Sequence, residues 1–171
     1  PTQGVYTIYE DGDGRRLDTF HWGLVPFWAK DPKIGSRMIN ARAETLTEKN
    51  SFKRPFARTR CIVPADGFYE WKKVEGQKKK QPMYMSRADG EPLAFAGLWE
   101  VWKDRNHADS WGEPLELYSC TIITCDSNET VAEVHDRMPV VLEPDAWDVW
   151  LDRSNQDIES FQGLLVPALP Q

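Results

Sequence analysis

The chain has 171 residues, enough for one domain with a sizeable core, and no apolar run long enough to span a membrane. Its three cysteines lack C-x-x-C spacing, which argues against a disulfide framework or a zinc site and suits a reducing cytosol. The formal charge of −6 argues against indiscriminate nucleic-acid binding, yet residues 30–80 hold 14 Lys and Arg against 6 Asp and Glu, and residues 81–171 hold 5 against 17.

Residues 5–9 alternate as a strand, Asp11-Gly-Asp-Gly14 is a strong hairpin signal, and the return strand is predicted from about Arg15 to Trp22. Residues 23–29 are irregular because Pro26 excludes a central strand position. Phe27 and Trp28 then stand side by side in a Pro-bent loop, where they cannot easily both be buried. Thr45 and Glu48 have capping-box spacing, predicting a short helix that fails by Pro55. Asn40 and Arg42 lie just upstream, in an extended or turn conformation that suits donors aimed into a cleft. Asn40 reads equally as a turn residue bonding its own backbone.

Arg60 to Trp71 reads as a buried strand (Cys61, Ile62, Val63), a Pro-Ala-Asp-Gly turn and a second strand, together a central hairpin. Alternation sets Phe68 and Glu70 on one face of the second strand and Tyr69 and Trp71 on the other. A lone carboxylate among three rings is a candidate proton donor if it points inward, and a rim residue if it faces water. Cations interleaved with rings across this region resemble a single-strand-binding groove. Lys78-Lys79-Lys80 alone reads as a solvated hairpin loop.

Further strands are predicted over residues 82–86, 93–102 and 115–125, with a polar loop at 106–114. Cys120 and Cys125 fall on opposite faces of the last strand as small core fillers. Residues 126–130 are a helix-start cluster, and the helix ends at His135. That imidazole is either an ordinary hydrogen-bonded surface group or a proton relay. Residues 145–152 and 156–164 look like amphipathic helices that bury Trp147, Trp150, Leu151 and Phe161. No zinc, P-loop, dinucleotide or serine-triad spacing occurs, so neither metal nor cofactor is expected. Many short strands with a few helices predict a single α+β domain with a barrel-like β-sheet core.

Five segments, Trp22-Gly-Leu-Val-Pro-Phe-Trp28, Asn40-Ala-Arg-Ala-Glu-Thr45, Ala65-Asp-Gly-Phe-Tyr-Glu-Trp71, Ala96-Gly-Leu-Trp99 and His135-Asp-Arg-Met-Pro139, together resemble the SOS response-associated peptidase (SRAP) family. The resemblance implies an abasic-site sensor acting on single-stranded DNA, built as a barrel-like sheet with flanking helices. It implies an N-terminal cysteine whose α-amine forms a Schiff base with the opened abasic sugar and whose thiol closes a thiazolidine. On the matching positions, Asn40 would hold that cysteine, Glu70 would shuttle protons there and in self-processing, and His135 would assist sugar-ring opening. Arg42 would bind phosphate, Arg137 would add a DNA contact, and Trp28 and Trp71, with Phe27 and Phe52, would line the DNA path. A cytoplasmic monomer, nucleoid-associated in a bacterium, is expected.

The family's Met-Cys-Gly-Arg start and its closing strand after Val166 are not in the sequence. Pro1-Thr2-Gln3 looks like the tail of an Asn-x-x-Pro-Thr-Gln segment, so the expectation is a piece of a longer chain. Cys61, Cys120 and Cys125 cannot substitute, because none has a free α-amine. The alternatives are a thiol-dependent peptidase acting on other proteins and a non-catalytic single-strand-binding domain.

Overall fold

Strands that alternate side chains bury one face inside a closed sheet and the other under helices, and this chain does both. The computed structural model describes residues 1–169. Its strands are β1 (Gly4–Asp11), β2 (Gly14–Trp22), β3 (Asn40–Arg42), β4 (Arg60–Ala65), β5 (Phe68–Lys72), β6 (Gln81–Met85), β7 (Leu93–Ala108), β8 (Pro114–Asp126) and β9 (Arg137–Pro139). Four short α-helices accompany them among the described residues, α1 (Lys53–Arg58), α2 (Glu129–Ala132), α3 (Pro144–Leu151) and α4 (Ile158–Leu164), with 3-10 turns at Pro32–Arg37 and Ala43–Thr45.

The β1–β2 hairpin forms as its turn sequence predicts, with Gly14 at φ +115°. β1 pairs antiparallel with β4, β4 with β7 and β7 with β8. The end of β2 then runs parallel to β8 through His21–Ser119 and Trp22–Cys120, which closes a five-stranded barrel. Period-2 alternation sorts the core into two layers. Tyr9, Phe20, Cys61, Val63, Phe95, Trp99, Cys120 and Ile122 come from all five strands and fill the interior. Ile62, Ala96, Leu98, Ile123 and Cys125 point outward against Phe56, Trp150, Leu151 and Phe161 of the helices. Each fully buried large side chain contributes about 1.5–3 kcal/mol.

Four expectations are corrected. Residues 60–71 are not a hairpin: β4 stays in the barrel, while β5 leaves it at Asp66-Gly67 and pairs only with β6, as a separate two-stranded ribbon. Only a 3-10 turn forms at Ala43–Thr45, and α1 starts later and contains Pro55. Pro55 is the third residue of that helix, where a backbone N–H has no intrahelical acceptor, so the ring costs nothing there. The loop at 106–114 is shorter than read, because β7 and β8 extend to an Ala108–Pro114 pair past an irregularity. Trp147 is 37 % exposed, since it sits at the margin of the stripe set by Trp150 and Leu151, its indole N–H donating to Leu142 O at 3.0 Å.

Candidate functional site

Both edges of β8 change partner near its C-terminal end, and that exchange builds a cleft. On one edge β2 ends at Cys120 and β3 takes over, pairing Asn40, Ala41 and Arg42 with Ile122, Ile123 and Thr124. Two glycines make this hand-over possible: a Cβ on Gly23 (φ +136°) would meet Gly35 O at 2.5 Å, so the two backbones touch. On the other edge β7 diverges and β9 pairs with residues 124–126. The chain after β9 then inserts between β7 and β8, with Val140 N–H donating to Ile123 O and Ala96 N–H to Val140 O, both at 2.9 Å. Thr124 thus lies between Arg42 on one side and Pro139 on the other.

The resulting cleft has a volume of about 1100 Å³. Asn40, Arg42, Glu70, Trp71, His135 and Arg137, drawn from β3, β5, the α2–β9 connection and β9, all line it, as does Pro1. Pro1 reaches the wall through a backbone exchange, Thr2 N–H to Trp22 O (2.9 Å) and Trp22 N–H to Gln3 O (2.8 Å). Thr2 is held there at φ +62°, a region that a β-branched residue rarely adopts.

Of the two readings of Asn40, the strand excludes the turn: its side chain makes no hydrogen bond among the described residues and stands exposed in the cleft. Glu70 is half-buried on the wall, on the inward face with Phe68, and neither pairs with a cation nor accepts a hydrogen bond among the described residues. His135 ends the turn after α2, whose N-cap Asn128 accepts from Val131 N–H at 2.9 Å. Ser127 Oγ–H fixes that turn by donating to His135 O at 2.7 Å. His135 Nδ1 lies 3.1 Å from both the backbone N–H and the backbone O of Arg137, so it accepts from the first or donates to the second according to its tautomer.

Arg137 grips both oxygens of Glu44 (2.9 and 3.0 Å) and also reaches Asp126 Oδ1 (2.9 Å) and Thr124 O (3.0 Å). Its buried Nε–H has no partner among the described residues. The Arg137 hydrogen bonds hold the Glu44 carboxyl below its ordinary value, against the opposing pull of burial. Arg42 is looser, its Nε 3.9 Å from Glu44 and most of its side chain in solvent.

Three residues expected on the DNA path do not line this cleft. Phe27 and Trp28 project from a separate turn, Ala29 N–H to Pro26 O, with the Arg54 guanidinium 4.4 Å over the Phe27 ring. Phe52 is half-buried against the helix-side core. The sequence reading passed over Tyr6, Trp22 and Tyr69 as cleft residues. Tyr69 is detectable, because it shares a strand face with Trp71; Tyr6 shows only as one of the two rings of β1.

Cys61, Cys120 and Cys125 are buried and none lines the cleft. Burial pushes the Cys61 thiol well up, that of Cys120 to about 12 and that of Cys125 to about 11, so none is a thiolate at neutral pH. Among the described residues no cluster of three His, Cys, Asp or Glu could hold a metal, and no helix is long and apolar enough to cross a membrane.

Residues 1–171 match the family model described as SOS response associated peptidase (SRAP). The abasic site processing protein YoqW of Bacillus subtilis (strain 168) is 48% identical over 167 residues, which are 98% of this chain and 71% of that one. The abasic site processing protein HMCES of Xenopus tropicalis is 35% identical over 162 residues, 83% of this chain and 47% of that one. A crystal structure of a protein from Bacteroides thetaiotaomicron matches with a TM-score of 0.83 at 31% identity, over 97% of this chain and 69% of its own. A second, from Bordetella bronchiseptica, matches with 0.79 at 27%, over 99% and 81%. A match along the entire chain, on a barrel that gathers Asn40, Glu70 and His135 at one end, makes this protein a member of the SOS response associated peptidase family.

Proposed function

We propose that this protein recognises abasic sites in single-stranded DNA and, in its full-length form, traps them as a thiazolidine through an N-terminal cysteine. The observation that carries the reading is that Pro1, Asn40, Glu70 and His135 line the same cleft. A segment preceding Pro1 would therefore start in the cleft that a free amide, a free carboxylate and an imidazole also line. The relatives named abasic site processing proteins support the lesion as the substrate.

The chemistry fits those groups. An α-amine has a pKa of about 8, so an appreciable fraction is free base at neutral pH. It attacks the aldehyde carbon of the ring-opened sugar to give a carbinolamine, which loses water to give an imine. The neighbouring thiol then adds across the C=N bond, its proton passing to nitrogen, and closes a five-membered ring. That second attack is intramolecular and therefore fast. Glu70 donates the proton that lets hydroxide leave as water, and its role extends to self-processing. His135 moves protons during ring opening, and Asn40 holds the cysteine. Arg42 meets phosphate, and Arg137 adds a DNA contact from the cleft wall. The burial of all three internal thiols supports this reading over a peptidase that uses one of them.

The test supplies the family's Cys-bearing start upstream of Pro1 and mixes the protein with a single strand carrying one abasic site. A heat-stable, SDS-resistant band is expected, absent with intact DNA and lost when that Cys is Ala. Binding without a covalent band favours a non-catalytic domain, and cleavage of an unrelated peptide favours a peptidase.

A further inference from the structure

The ribbon of β5 and β6 has no hydrogen-bonded place in the barrel, and a lone two-stranded ribbon is marginal in water. Its inward face accounts for its anchorage: Phe68 packs edge-on against Phe95 at 5.9 Å, and Met83 and Met85 are half-buried. Its outward face is not accounted for by packing. Tyr69, Trp71 and Tyr84 lie there 59 %, 53 % and 51 % exposed. Tyr69 and Tyr84 are direct cross-strand partners with ring centroids 5.0 Å apart.

The turn before the ribbon is shaped around one of these rings. A Cβ on Gly67 would come within 2.5 Å of Tyr84 Cζ and Oη, so only glycine lets that ring lie against residue 67, which lines the cleft. At the far end, the loop joining the two strands carries Lys73, Lys78, Lys79 and Lys80 against Glu75 alone. None of these lysines is in an ion pair among the described residues. Tyr69 and Trp71 also form part of the cleft wall, so the aromatic face continues the cleft outward toward the lysines.

We infer that the β5–β6 ribbon is a second contact for the DNA strand held in the cleft: bases flanking the lesion stack on Tyr84, Tyr69 and Trp71, and phosphates beyond them meet the lysine loop. This rests on the reading that the cleft takes single-stranded DNA. Stacked rings and exposed lysines carry no base code, so the contact is indifferent to sequence and needs unpaired bases. The occupant is a polyanion because the ribbon tip is cationic on a chain of net charge −6.

Fluorescence anisotropy with intact single strands of about 4 and about 12 nucleotides, bracketing a cleft-sized and a longer site, tests it. The triple variant Lys78→Gln, Lys79→Gln, Lys80→Gln is expected to bind the long strand about tenfold more weakly, with a log–log salt slope shallower by about 2. Tyr84→Ala is expected to weaken the long strand about fivefold to tenfold with the slope unchanged, since it removes stacking rather than charge. Both should bind the short strand like the parent protein. Variants that bind the long strand like the parent, or that lose both strands equally, overturn the ribbon contact. If the parent itself binds neither strand, the cleft reading fails and this one with it.

Discussion

The barrel offers one wall to helices and one end to a cleft, and arginines on the two sides are treated in opposite ways. On the helix side Arg60 is 1 % exposed and donates to five backbone carbonyls, those of Trp150, Phe56, Ala57, Asp152 and Asn155. Its guanidinium also lies 3.7 Å from the Phe161 ring centroid. Burial pulls its pKa down, to about 10, so it keeps its charge at neutral pH and no carboxylate is needed to hold it. On the cleft side Arg42 is loosely paired, Arg137 keeps an unused N–H, and Asn40 and Glu70 have no partners among the described residues. Arg60 has an acceptor for every donor and is structural; the open groups of the cleft are the ones that the DNA strand of the proposed function would meet.

Three experiments would break or sharpen that contrast. Arg60→Met strips the donor from five carbonyls at the ends of α1 and α3 and should destabilise the fold by about 3–5 kcal/mol, read as a lower urea midpoint at unchanged m. A loss under about 1 kcal/mol would mean that those carbonyls find water, and the contrast would fail on the helix side. In the cleft, Glu70→Gln should slow crosslinking about 100-fold at saturating DNA with little change in affinity. Arg42→Ala should do the reverse, weakening binding and flattening the salt slope by about 0.7. Swapped phenotypes would exchange the two roles.

The smallest effect concerns Glu44, whose carboxyl is held below its ordinary value mainly by the Arg137 hydrogen bonds. A depressed folded-state value contributes stability that is complete above the unfolded carboxylate value, about 4.3, and is lost as pH falls through the folded one. Between about pH 5 and pH 3 the parent protein should therefore lose more Tm than Glu44→Gln does, by a few degrees. Parallel curves would show that the Arg137 pair contributes nothing to the fold.

The sequence made local pattern legible and left long-range pairing hidden. The Asp-Gly-Asp-Gly hairpin, the opposite faces of Cys120 and Cys125, the exposed pair Phe27–Trp28 and the helix start at Asn128 all follow from spacing over a few residues. The parallel closure of β2 on β8 joins residues nearly a hundred positions apart, and no periodicity announces it. The same limit hid the fate of β5. Phe68 to Trp71 alternates as well beside β4 as beside β6, and what decides is the tertiary fact that β4 is already paired on both edges, by β1 and β7. Asn40, Glu70 and His135 could be nominated from their motifs, but their meeting in one cleft depends on β3 and β9 flanking the same end of β8.

The chain inserted between β7 and β8 has a consequence for how a lesion is seated. Residues 140 to 142 are stitched to both neighbours through Val140, Ala96 and Leu142 amides, so the His135–Arg137 wall can open only by unzipping the sheet itself. A wall that stiff presents a fixed mould, and under the proposed function the entering strand would do the bending. On the function proposed above, discrimination would fall to the nucleic acid's own pliancy: a backbone relieved of one base would fold into the mould more cheaply than a fully stacked one.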